Sequence, residues 1–198
     1  MKRFFLLLIC ILSCVCSFAK GPYMSIKSGS LDIFKEAVNI NVAIDDYNAI
    51  IDGRNQPAKD YYTAQSQLAY TEFCTDLMRG HESFISYFNT EKGSIKSTVG
   101  ISEDSPYTLQ INVSSINVGN SGAAIIGLSL KAGGALINGE MKLIEKATNK
   151  VLCEIEFSEI KGMRSPIFKG RVISVYRYLA DALLNTIRLD IFLTPKNN

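Results

Sequence analysis

The chain is poor in the side chains that most enzyme chemistry uses. It has one histidine, His81, in 198 residues, which excludes zinc sites built from several histidines. Of its five cysteines, Cys10, Cys14 and Cys16 fall within residues 1–19, leaving Cys74 and Cys153 for the remainder. Two cysteines do not make a disulfide-stapled mini-protein. A chain of about 180 residues buries enough surface to stand without such staples. Surplus charge is missing too. The formal net charge is +2, and Lys2 and Arg3 account for it. The rest is neutral and carries no local basic cluster, so it has no general attraction for nucleic acid or anionic lipid.

Long apolar runs are also lacking. The most apolar internal stretch, 121–140, is interrupted by Lys131 and by five glycines, which excludes a membrane-spanning reading. The opening apolar run, Phe4 to Leu12, follows Lys2 and Arg3 and ends near Ser17-Phe18-Ala19. A short basic region, a short apolar region and small residues at the cut make a signal peptide over 1–19, with Lys20 as the mature N-terminus. Ile11-Leu12-Ser13-Cys14 resembles a bacterial lipobox, so lipidation of Cys14 is the alternative. The expected location is therefore periplasmic or extracellular, with an outer-membrane lipoprotein as the other reading. Membrane contact is expected only if Cys14 is lipidated.

What remains reads as one domain over 31–198, after a flexible lead-in at 20–30 rich in Gly, Ser and Lys. Val38, Ile40, Val42 and Ile44 alternate with polar or small residues, the pattern of a half-buried strand. From Pro57 to Arg79 the period becomes helical, with Tyr62, Ala69, Phe73 and Leu77 on one stripe. Gly80 is expected to weaken that helix and 81–89 to form a shorter one. Tyr107, Leu109, Ile111 and Val113 alternate again. A strand near 136–145 then turns at Ala147–Lys150 into a second strand carrying Val151, Cys153, Ile155 and Phe157 inward. Gly139 is expected at a bulge or a close backbone approach. Val172, Val175, Leu179, Leu183 and Ile187 predict an amphipathic C-terminal helix over 170–190. The order β-α-β-β-β-α predicts an α+β fold, an antiparallel-rich or mixed sheet with helices packed on one face.

The segment Ser121 to Leu152, SGAAIIGLSLKAGGALINGEMKLIEKATNKVL, resembles a Gly/Ala-rich segment plus strand–turn–strand unit. That unit belongs to an uncharacterised family of bacterial secreted proteins and lipoproteins. The strand ending at Asp45-Asp46-Tyr47 and the helix around Tyr176–Ile187 fit the same outline. In topology such proteins are similar to the TolB amino-terminal domain and to LpoB-like periplasmic activators of penicillin-binding proteins. The resemblance implies an envelope protein that acts by binding.

The chemistry agrees with that expectation. Glu82 and Ser83 adjoin His81 in sequence, but helix positions i and i+2 do not face each other. No serine sits in a G-x-S-x-G elbow. His81 is therefore expected to face solvent or cap a helix. Asp45, Asp46 and Asp52 lack the alternating oxygen ligands of a calcium loop, with Ala49, Ile50 and Ile51 between them, and read as a turn. Cys74 and Cys153 are expected to be buried, either bonded or as free thiols. The glycines at 122, 127, 133, 134 and 139 match no phosphate-binding loop. Asn112-Val113-Ser114 is a formal glycosylation sequon set within a strand. No residue is assigned a catalytic, cofactor-binding or metal role. The expected function is non-enzymatic, with a protein or cell-envelope component as partner. A small-ligand carrier with an apolar pocket around Ala123–Leu130, or a hydrolase of unrecognised type, stand behind it.

Overall fold

A computed structural model describes residues 23–51, 53–119 and 134–193. The expected signal peptide with Cys14, Asp52, and the apolar segment Ala123–Leu130 lie outside the described residues. The fold is α+β, as the periodicity predicts, with an eight-stranded mixed sheet and its helices packed on one face.

The strands are β1 Tyr23–Gly29, β2 Asn39–Asp45, β3 Ile50–Ile51, β4 Gln56–Pro57, β5 Thr98–Gly100, β6 Tyr107–Asn117, β7 Leu136–Glu145 and β8 Lys150–Lys161. Their order is β1-β8-β7-β6-β2-β5, with β3 joining both β6 and β4. β6, β7, β8 and β1 run antiparallel in succession, whereas β2 lies parallel to both β6 and β5. The crossover behind those parallel pairs carries α1 Ala58–Gln65 and α2 Gln67–Glu91, and α3 Phe168–Arg188 closes the layer against α2. One face of each long strand feeds the core: Leu109, Ile111 and Val113 on β6, Met141 and Leu143 on β7, Ile155 and Phe157 on β8. Gln110, Asn112, Glu140, Glu154 and Glu156 occupy the open face.

Several expectations need correction. Residues 23–29 of the presumed lead-in form β1, an edge strand in which Met24 and Ile26 pack on the core and Ile26 opposes Ile155. Alternation there is hidden by the serines and lysine between them. The first helix does not break at Gly80. It breaks at Ser66, which is extended (φ −174°) and accepts the Ala69 N–H at 3.0 Å, capping α2. α2 then runs unbroken for 25 residues. Val151 is 41% exposed rather than inward. Leu143 pairs with Cys153 but Ile144 with Val151, so Leu152 is an extra residue, and everything before it in β8 changes face. Gly139 meets its expectation: a Cβ there would lie 2.1 Å from the Asn112 carbonyl oxygen and 2.6 Å from Phe157 Cζ.

Candidate functional site

Two places on this scaffold bear on function: a buried polar cluster under α2 and α3, and an apolar groove on the outer side of α3.

The cluster forms where the β2–β3 turn meets the two long helices. Asp46 is fully buried. Its backbone oxygen closes the turn by accepting the Ala49 N–H at 3.1 Å. Oδ2 accepts from His81 Nε2 at 2.7 Å and also from the Tyr176 hydroxyl. His81 comes from the middle of α2. Tyr176 arrives from α3 because Gly80 has no side chain: a Cβ there would stand 2.4 Å from Tyr176 Cδ2. The His81 and Tyr176 rings meet edge to face at 5.2 Å. Burial, followed by the neighbouring Asp46 charge, holds the Tyr176 hydroxyl well above the usual phenol range. Asp46 Oδ1 has no hydrogen-bond partner among the described residues, a desolvation cost of about 1–3 kcal/mol.

These positions correct one expectation and meet another. His81 neither faces open solvent nor caps a helix, since its side chain is 17% exposed and tied to Asp46. Asp46 stands in the turn after β2, as expected, and that turn is buried against α2. Neither contact has a sequence-local cause: Asp46 and His81 are 35 positions apart and Asp46 and Tyr176 are 130. The Gly80-His81 step was the one available signal, a small residue beside the lone histidine at a helix–helix crossing. Chemically, the cluster can orient an imidazole and hold a proton. No serine or cysteine hydrogen-bonds to His81 among the described residues, so it supplies no nucleophile–base pair.

The remaining candidates disperse. Cys74 and Cys153 are free thiols. Cys153 is buried, and that burial pushes its thiol up to about 11. Cys74 is only partly covered, against expectation. Asn112 and Ser114 lie on the open face of β6, where Ser114 Oγ donates to the Asn138 carbonyl at 3.1 Å. A broad hollow of about 480 Å³ on that face is bordered by Lys27, Asn112, Glu140, Glu154 and Glu156. Its charges largely answer one another. Lys27 pairs with Glu156, and Lys142 stands 3.5 Å from Glu140 and 3.9 Å from Glu154. No three His, Cys, Asp or Glu side chains converge on a metal position among the described residues.

The groove was missed at the level of sequence. Tyr178, Ala182, Asn185 and Leu189 recur at spacings of four, three and four, so they share one side of α3. They face Met24 of β1 and Ile160 of β8 across a hollow of about 400 Å³. A second hollow of about 190 Å³ continues it past Tyr87, Met163 and Arg177, sharing Tyr178 and Asp181 with the first. Asp181 is fixed at the junction: it accepts from the Tyr87 hydroxyl at 3.2 Å and from Asn185 Nδ2 at 3.3 Å. The Arg177 guanidinium lies 4.7 Å above the Tyr87 ring. Met163 is 58%, Leu189 56% and Tyr178 44% exposed, so an apolar strip follows the helix on its outer side.

No family model matches the chain, and no curated protein matches it. Among solved structures it is similar to the PelC dodecamer from Paraburkholderia phytofirmans, at 10% identity and a TM-score of 0.44, covering 85% of this chain and 95% of that one. It is similar to a single-substitution variant of that dodecamer at 12% identity and a TM-score of 0.38, covering 81% and 98%. It is also similar to a protein from Xanthomonas campestris described by family-model DUF330, at 14% identity and a TM-score of 0.36, covering 83% and 91%.

Proposed function

We propose that the chain is an exported, non-enzymatic accessory protein that holds a protein partner on the outer side of α3. The observation that carries this reading is the groove itself. Tyr178, Leu189 and Met163 stay exposed beside ordered hydrogen-bonding groups, whereas the opposite side of the same helix is buried. Exposed apolar strips rimmed by polar side chains are where proteins bind one another. Tyrosine and arginine are enriched among the residues that dominate such contacts. The open sheet face is a weaker candidate because its charges are already paired with one another. Export rests on the basic and apolar opening of the chain. The resemblance to TolB amino-terminal and LpoB-like proteins supports a binding role in the envelope. The carrier alternative needs the apolar segment Ala123–Leu130, which lies outside the described residues.

A photo-reactive amino acid placed at Tyr178 should crosslink one reproducible polypeptide in cells that make the protein. The same group at Gln110, on the open sheet face, should not. A reproducible adduct only from Gln110 would overturn the assignment.

A further inference from the structure

Three soft donors lie along one side of α2: Cys74, Met78 and His81, at positions i, i+4 and i+7. Successive helical residues turn by about 100°, so the three fall within an arc of about 60°. Met78 is 56% exposed there, although its neighbour Leu77 is buried. His81 keeps 17% of its side chain accessible. Its Nε2 lies 2.7 Å from Asp46 Oδ2, and no hydrogen bond of Nδ1 is found among the described residues. The tautomer with Nε2–H donating to the carboxylate leaves the Nδ1 lone pair free for a ligand. A carboxylate behind a histidine in this way orients metal-ligating imidazoles and raises their basicity.

We propose that Met78 Sδ and His81 Nδ1 form a two-donor site for a soft monovalent cation, Cu(I) or Ag(I). Residues three apart on a helix have Cβ atoms about 5–6 Å apart, a gap that one ion and a flexible methionine can bridge. Thioether sulfur and imidazole nitrogen suit Cu(I) by softness. Zinc and calcium need more ligands than two, and no three His, Cys, Asp or Glu converge among the described residues. Cys74 cannot share an ion with His81, because seven residues of helix separate them by about 10.5 Å.

Behind the ring, on the Nε2 side, Asp46 is fully buried with one oxygen unpartnered, and among the described residues its ion-pair partner is His81 rather than a lysine or arginine. A cation on Nδ1 places positive charge across the ring from that carboxylate. The inference does not depend on the α3 groove.

Silver ion is the redox-inert probe, added to the Cys74→Ser protein in chloride-free buffer so that the partly exposed thiol cannot compete. Native mass spectrometry and titration calorimetry should find one Ag(I) per chain. Nitrogen-15 spectra of the single histidine should move at Nδ1 while Nε2 stays protonated. Met78→Leu on this background should weaken binding about tenfold or more. His81→Gln should abolish binding; because it also disturbs Asp46, Met78→Leu carries the decision. Loss of all binding in Cys74→Ser, coordination at Nε2, or unchanged affinity in Met78→Leu would each overturn the site.

Discussion

At the scale of single residues, the centre of the molecule turns on a missing methyl group. Gly80 lets the Tyr176 ring lie against the α2 backbone, and that approach brings the hydroxyl to Asp46. An alanine would meet ring carbon at 2.4 Å and force the helices apart. Gly80→Ala should therefore cost about 1–3 kcal/mol in urea melts, the usual range for overpacking, despite alanine's better helix propensity. A variant as stable as the parent would mean that Tyr176 is not held there. Buried protonated groups give a second prediction. Burial pushes Tyr62 up to about 12, with Tyr61 adding to it, and Cys153 from 9.0 to about 11. Both are neutral while protonated, and the folded chain holds those protons longer than the unfolded one. Their contribution is complete below about pH 9 and is lost as pH rises, through pH 9–11 for Cys153 and 10–12 for Tyr62. Urea midpoints should therefore fall steeply above pH 9, and Cys153→Ala should flatten the first part of that fall. A midpoint that does not change between pH 8 and 11 would contradict it.

Among the secondary-structure elements, periodicity was a good guide wherever one face of an element is buried along its whole length. β6 up to Val113 and α3 were legible for that reason: Leu109, Ile111 and Val113 keep period two, and Val172 through Ile187 keep the helical period. Bulges defeat the same reasoning. Val113 and Ile116 both face inward although three positions separate them, because the register shifts between Val113 and Ser115. β1 was hidden by polar residues on its open face, and the α1–α2 break by a serine whose role depends on its own extended backbone. The buried cluster was illegible because its partners come from a turn and two distant helices. Arg171 illustrates the same limit. It reads as a polar interruption of α3, yet it is 5% exposed, donating to the Val118 carbonyl at 2.8 Å and to the Ser165 carbonyl at 2.8 Å. The docking of α3 is testable through Leu183, which is fully buried. Leu183→Ala should cost about 2–5 kcal/mol. Glu154→Ala, on the open face of β8, should cost no more than about 0.5 kcal/mol. Equal melts for Leu183→Ala and the parent would mean that α3 is not docked.

Across the whole molecule, one sheet face and three helices enclose a continuous core, and α3 has two distinct sides. Val175, Leu179 and Leu183 hold it to that core, whereas Tyr178, Asn185 and Leu189 line a groove that is open among the described residues. Stability and recognition should therefore separate on a single helix. The direct test is the affinity of the Leu189→Ser protein for the partner captured from Tyr178, measured by calorimetry beside its urea melt. Leu189 is 56% exposed, so the melt should shift by no more than about 0.5 kcal/mol. Binding should weaken at least about tenfold, or about 1.4 kcal/mol. Unchanged affinity with an unchanged melt would contradict the assignment of the groove as the working surface.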